Sequence, residues 1–200
     1  MEAQLALTIT TQIQEPEQRI DAMRRALDPT DILRSVSGVG SINAAQILAR
    51  LADPGRFRSL VGVRSYSGLV PSLNSSGRNG AHGGPTKSGD ALLREALFNS
   101  ADVARKTDPT LAQRHHRLRT EAGQHHNSSV CSIAPAILTR IVSCWRSGEH
   151  YVIRDVDGRA ITPDEGRRIV AERYTVRPEL RALRRSTKPT SGRAGDARSR

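Results

Sequence analysis

The chain has 200 residues, with 31 Lys and Arg against 20 Asp and Glu, a formal charge of +11 and a pI of about 11.0. A chain of this size buries one modest core, and its charge favours a polyanion: nucleic acid rather than a membrane, since no stretch approaches the roughly 18–20 apolar residues of a spanning helix. Residues 1–14 lack a basic segment ahead of an apolar run, Cys131 and Cys144 sit in an apolar helical pattern, and aromatic residues make up only 3%, so a cytoplasmic, nucleoid-associated protein with reduced thiols is expected, without an aromatic platform for single strands.

Residues 13–35 place Ile13, Ile20, Met23 and Leu27 at helical spacings among charged residues. This is a helix with one apolar stripe, able to pair with another helix or with a second copy of the chain. Asp28, Pro29, Thr30 and Asp31 interrupt the pattern and offer caps for the next helix, so residues 1–30 form a coiled-coil-like unit ahead of a domain over 31–176.

Residues 31–51 read as a helix-hairpin-helix: a short helix to about Val36, a Ser37-Gly38-Val39-Gly40 turn, and a second helix carrying Ile42, Ala45, Ile47, Leu48 and Leu51. Gly38 and Gly40 permit a tight turn, and with Ser41 they leave bare amides at a helix N-terminus, which suits a backbone phosphate. The plainer alternative is a helix corner with a glycine C-cap.

A connector with a short helix from Ser59 to Tyr66 leads to residues 72–89, rich in Ser and Gly and without apolar periodicity. A loop of about eighteen residues inside a compact domain is more often functional than not. Arg78 and Lys87 could hold phosphate there beside Ser75 and Ser76; a flexible linker is the competing reading. Asp90 caps the next helix, which directs Leu92, Leu93, Ala96, Leu97, Val103 and Ala104 inward and Arg94 and Arg105 outward.

Helices over 109–121 and 129–146 complete a helical bundle spanning 90–147, the latter with Ile133, Ala136, Ile137, Ile141, Val142 and Cys144 inward. Tyr151–Arg159 suggests a small β-hairpin with an Asp157-Gly158 turn. Thr162, Pro163 and Glu165 announce a last helix, to about Tyr174. Residues 181–200 hold seven Lys or Arg against Asp196, so 177–200 reads as a disordered basic tail. The fold class is mainly α. A zinc site from His115, His116, His125 and His126 with Cys131 and Cys144 is disfavoured by spacing, and Asp155 with Asp157 reads as a turn rather than a metal pair.

Several motifs occur in a fixed order: Ser-Val-Ser-Gly-Val-Gly at 35–40, Arg-Phe at 56–57, Tyr-Ser-Gly-Leu-Val-Pro at 66–71, Ser-Ser-Gly at 75–77, Gly-Gly-Pro-Thr-Lys-Ser-Gly-Asp at 83–90 and Leu-Arg-Glu-Ala-Leu at 93–97. Together they resemble the C-terminal transposase domain of the insertion-sequence one-hundred-and-ten group, the bridge-RNA-guided recombinases related to the Piv DNA invertases. The resemblance implies a serine nucleophile, Ser76 by the motif or Ser75 beside it, forming a phosphoserine link to DNA. It implies Mg²⁺ held by an N-terminal RuvC-like domain and none held by this chain.

On this view DNA, a guide RNA and a full-length transposase are the expected partners, without a membrane. Gly38, Gly40, Ser41, Arg78, Lys87 and Arg94 are the expected DNA contacts. The expectation is a truncated transposase, inactive alone; the alternative is a non-catalytic nucleic-acid-binding regulator.

Overall fold

A computed structural model of the chain describes residues 1–53, 56–69, 71–73, 82–85 and 89–179. Among them are α1 (Glu2–Leu27), α2 (Ile32–Ser35), α3 (Ser41–Leu51), α4 (Leu60–Ser67), α5 (Ala91–Ala104), α6 (Pro109–Thr120), α7 (His126–Ser147) and α8 (Pro163–Arg173), with β1 (Pro71–Leu73) antiparallel to β2 (His82–Pro85). The fold is mainly α, as the periodicity predicts.

The organising element is α7. Val130, Ile133, Ala134, Ile137, Leu138, Ile141 and Val142 recur at the three- and four-residue spacings that place side chains on one helix face, and all are fully buried. They pack against α5, α6, α4 and α2. By length and composition α7 is apolar enough to cross a membrane, which corrects the expectation that no stretch comes close. Its apolar run is instead the centre of this core. It begins three residues ahead of the predicted Ser129 because the His125 ring accepts from the Asn127 amide at 3.3 Å.

Caps set most of the other boundaries. Ser59 accepts from Gly62 N, Asp90 from Leu93 N and Thr162 from Glu165 N, each satisfying an amide that the helix itself leaves unpaired. Before α2 the cap is Asp28, whose two carboxylate oxygens accept from Ile32 N and Leu33 N at 3.0 Å. Asp108 has a wider role. Fully buried, it caps α6 through Thr110 N and Leu111 N, pairs with Arg140 at 2.8 Å and accepts from Tyr151 Oη at 2.9 Å, so one carboxylate joins α6, α7 and the segment after α7.

The stripe on α1, expected to pair with another helix, is exposed at Ile13, Ile20, Met23 and Leu27, and the residue that α1 buries is Arg24, held between Asp21 and Asp31. Three expectations change. Ile42, Leu92 and Val103 are also largely exposed, since these helices are covered on one side only and the three residues lie off that side. The ends of the expected serine loop pair as β1 and β2, with Pro71 opposite Pro85 and Leu73 opposite His82. Tyr151–Arg159 forms a single bridge, Arg154 with Ala160, rather than strands, because the Tyr151 amide donates to Ser35 Oγ and its hydroxyl to Asp108. The tail beyond 179, expected to be disordered, lies outside the described residues.

Candidate nucleic-acid interface

The hairpin between α2 and α3 forms as its glycines require, but they do different work. Gly38 has φ +83°, and a Cβ on it would lie 2.1 Å from the Ser100 carbonyl oxygen and 2.6 Å from Ala104 N. Its role is to let the turn lie directly on α5. Val36 and Val39 on either side are buried, so this half of the turn faces the core rather than a ligand. Gly40 has open space around its Cα, is extended, and no side chain caps the first turn of α3.

That turn is not vacant electrostatically. Ser41 Oγ donates to the Asp21 carboxylate on α1, and Arg24 Nε bridges the two, at 2.9 Å from Asp21 and 3.3 Å from Ser41. The Ser41 hydroxyl, then Arg24 and Arg25, hold the Asp21 carboxyl well below its ordinary value. An anion from the chain itself therefore stands at the amide end of α3, where the dipole favours one. Arg25 and Arg34 edge the same groove, each already paired with an aspartate, Asp21 at 2.6 Å and Asp31 at 3.3 Å.

The serine segment springs from a closed base. Gly68, at φ +66°, ends α4, and a Cβ on it would lie 2.6 Å from Gly89 N; a Cβ on Gly89 would lie 2.3 Å from the Tyr66 carbonyl oxygen. The two ends of the segment thus touch backbone to backbone, fixed further by Asp90 N donating to that same carbonyl at 3.3 Å. Arg94 donates to the Gly89 carbonyl at 2.6 Å, so it buttresses the base. Arg50 approaches Asp90 at 3.6 Å, and Arg56 stacks over Phe57 and Tyr66 at 4.5 and 4.8 Å. Sequence reasoning missed Arg50 and Arg56; the Arg-Phe motif at 56–57 was the available signal. Ser75, Ser76, Arg78 and Lys87 lie outside the described residues.

A second basic surface, which the sequence did not reveal, gathers Arg105 and Lys106 from the end of α5, Arg119 from α6 and Arg167 from α8 around His115 and His126. His126 lies 3.2 Å from Asp102 and 3.4 Å from His115. Burial, then the charge of Arg105, pushes His115 down to about 3 and lowers His126 likewise, so both rings are neutral near pH 7. Although burial opposes ionisation of Asp102, Arg105 holds its carboxyl below the ordinary value. Among the described residues no three His, Cys, Asp or Glu side chains converge as a metal site.

The sequence has recognisable relatives. Residues 30–117 match the model of the Transposase IS116/IS110/IS902 family. The chain is 29% identical over 140 residues to the insertion element IS110 uncharacterized 43.6 kDa protein of Streptomyces coelicolor, covering 69% of this chain and 34% of that one. It is 29% identical to the insertion element IS900 uncharacterized 42 kDa protein of Mycobacterium paratuberculosis, over 66% of this chain and 33% of the relative. With the transposase for insertion sequence element IS1111A of Coxiella burnetii the identity is 30%, over 46% and 27% respectively. The matched part is thus about a third of the length of each relative, or less.

Proposed function

We propose, from the match of residues 30–117 to the Transposase IS116/IS110/IS902 family, that this chain is the nucleic-acid-handling portion of a transposition protein, carrying its serine nucleophile. The observation that supports the serine role most is the Gly68–Gly89 contact. It draws the two ends of the Ser75–Ser76 segment together at the start of α5, under a guanidinium, that of Arg94, so that a serine is presented from a fixed base rather than a free linker.

In the reaction proposed, Ser76 Oγ bonds to a DNA phosphorus while the bond from that phosphorus to a deoxyribose oxygen breaks. The serine proton passes to a base, and the departing oxygen gains one. Arg78 and Lys87, on the same segment, stabilise the charge on the attacked phosphate. Mg²⁺ belongs, on this reading, to a separate RuvC-like domain. Asp155 and Asp157 each accept a backbone amide of their own turn, from Val156 at 2.8 Å and Arg159 at 2.9 Å, which supports reading that pair as a turn.

DNA, with a guide RNA, is the proposed partner, and the +11 charge supports phosphate contact without sequence readout. A second reading, a non-catalytic binder that regulates a full-length relative, is favoured by Asp21 standing at the α3 turn and by a basic surface on α5–α8 that involves no serine. Fluorescence anisotropy with duplex DNA over a salt series tests the common part. Binding whose logarithm falls linearly with that of salt is expected; no binding at low salt overturns both readings.

A further inference from the structure

The ends of three helices, α5, α6 and α7, meet the flank of α8 around a cleft of about 700 Å³. Arg105, Lys106, Arg119 and Arg167 line it with His115 and His126, and no carboxylate does. Asp102 stands behind this lining, 2.7 Å from Arg105, 3.9 Å from Lys106 and 3.2 Å from His126. Arg167 is paired with Asp164 on its own helix, away from the lining. Arg105 and Lys106 share the single carboxylate of Asp102, which leaves an excess of positive charge there that attracts an anion. The N-terminus of α7, a helix of 22 residues, brings the positive end of a dipole to the cleft and the C-terminus of α5 a negative one, so the side-chain charges decide its sign.

The size of the cleft discriminates among anions. A volume of this order is that of sites for whole small molecules, far more than a bare phosphate fills. Ala112, Val170 and the half-buried Tyr174 add apolar and aromatic surface beside the polar Asn127 and Thr175, which suits a sugar or base. We propose that this cleft takes a nucleotide unit of a polynucleotide, the phosphate among Arg105, Lys106 and Arg167 and the sugar or base against Val170 and Tyr174.

The inference rests on the nucleic-acid reading above and adds a second contact, most of it built from residues beyond the family match at 117. The serine segment joins the start of α5 and the cleft lies at its end, about 20 Å apart at 1.5 Å per residue. One strand of a duplex, at 3.4 Å per nucleotide, covers that distance in about six nucleotides.

The test is a pair of titrations of the full chain. Amide NMR shifts are followed as a 20-mer single strand, its duplex, a 5′-mononucleotide or inorganic phosphate is added, and affinities are compared between wild type and Lys106→Gln/Arg167→Gln. Both of these side chains are more than half exposed, at 59% and 57%, so the double variant should fold. Expected are shifts at Lys106, Asn127 and Val170 with the polynucleotide, at least a fivefold affinity loss in the variant, and a salt slope smaller by about 1.4 for the single strand. If wild type binds polynucleotide, but these signals stay still and the variant binds equally, the cleft proposal fails while the nucleic-acid reading stands. If no polynucleotide binds at low salt, both fail, and shifts with the mononucleotide or with phosphate alone reassign the cleft to that free ligand.

Discussion

Gly68 and Gly89 meet backbone to backbone, so near that a Cβ on Gly68 would stand 2.6 Å from the Gly89 amide nitrogen. No side chain fits there, and the contact lies at the root of the segment bearing both candidate serines.

Gly89→Ala should therefore cost roughly 1–3 kcal/mol in denaturant unfolding, as overpacking against rigid backbone does. Gly62→Ala is the contrast. It lies inside α4, exposed, with only Ser59 Oγ at 3.6 Å from the added methyl, so removing a helical glycine should stabilise by up to about 1 kcal/mol. Equal effects of the two changes would refute the contact.

Asp108 is the joint of the domain. Asp108→Ala leaves Arg140 without its carboxylate, Tyr151 without its acceptor and the first turn of α6 uncapped. A loss of about 3–5 kcal/mol is expected, with Asp108→Asn retaining the cap and losing less. A change below about 1 kcal/mol in Asp108→Ala would contradict this arrangement.

Asp21 tests whether the α3 turn takes phosphate. With its carboxyl held far below the usual range it stays charged through all ordinary pH, competing with any phosphate at Ser41. Asp21→Asn should tighten DNA binding several-fold more than Glu17→Gln, which makes the same charge change in the same groove. Equal gains from the two variants would mean that the turn makes no phosphate contact.

His115 predicts an acid-sensitive fold. Its folded value of about 3 lies below the ordinary 6.5, so below pH 6.5 the unfolded chain binds a proton that the folded chain refuses. Its contribution to stability is complete above pH 6.5 and is lost as pH falls toward 3. His126 acts in the same direction. Denaturant midpoints between pH 7 and 5, a window above most carboxylate titration, should fall in wild type and fall less in His115→Leu; parallel curves would contradict the burial of this ring.

Much of the fold was legible because caps and periodicity are local. Asp90, Thr162 and the apolar face of α7 announced their helices, and Gly38 announced its turn. What sequence could not convey was which neighbour each turn meets. Nothing near Gly38 says that Ser100 lies beneath it, and nothing near Ser41 says that Asp21, twenty residues earlier, binds it. The basic cleft was hidden for the same reason: Arg105, read only as outward-facing, and Arg167 lie far apart in the chain, and the packing of α8 beside α6 brings them together. The α1 stripe was legible, but not that Arg24, ion-paired with Asp21 and Asp31, is the residue this helix buries.

The central claim, that a serine of this chain attacks DNA, is tested most directly by trapping the covalent product. The chain is combined with DNA, Mg²⁺ and a RuvC-like domain supplied as a separate polypeptide, quenched in denaturant, and the DNA-linked peptide is identified by mass spectrometry. The predicted result is a linkage at Ser76 that disappears in Ser76→Ala and persists in Ser75→Ala. A linkage on another residue, or strand exchange that continues undiminished in Ser76→Ala, would contradict it.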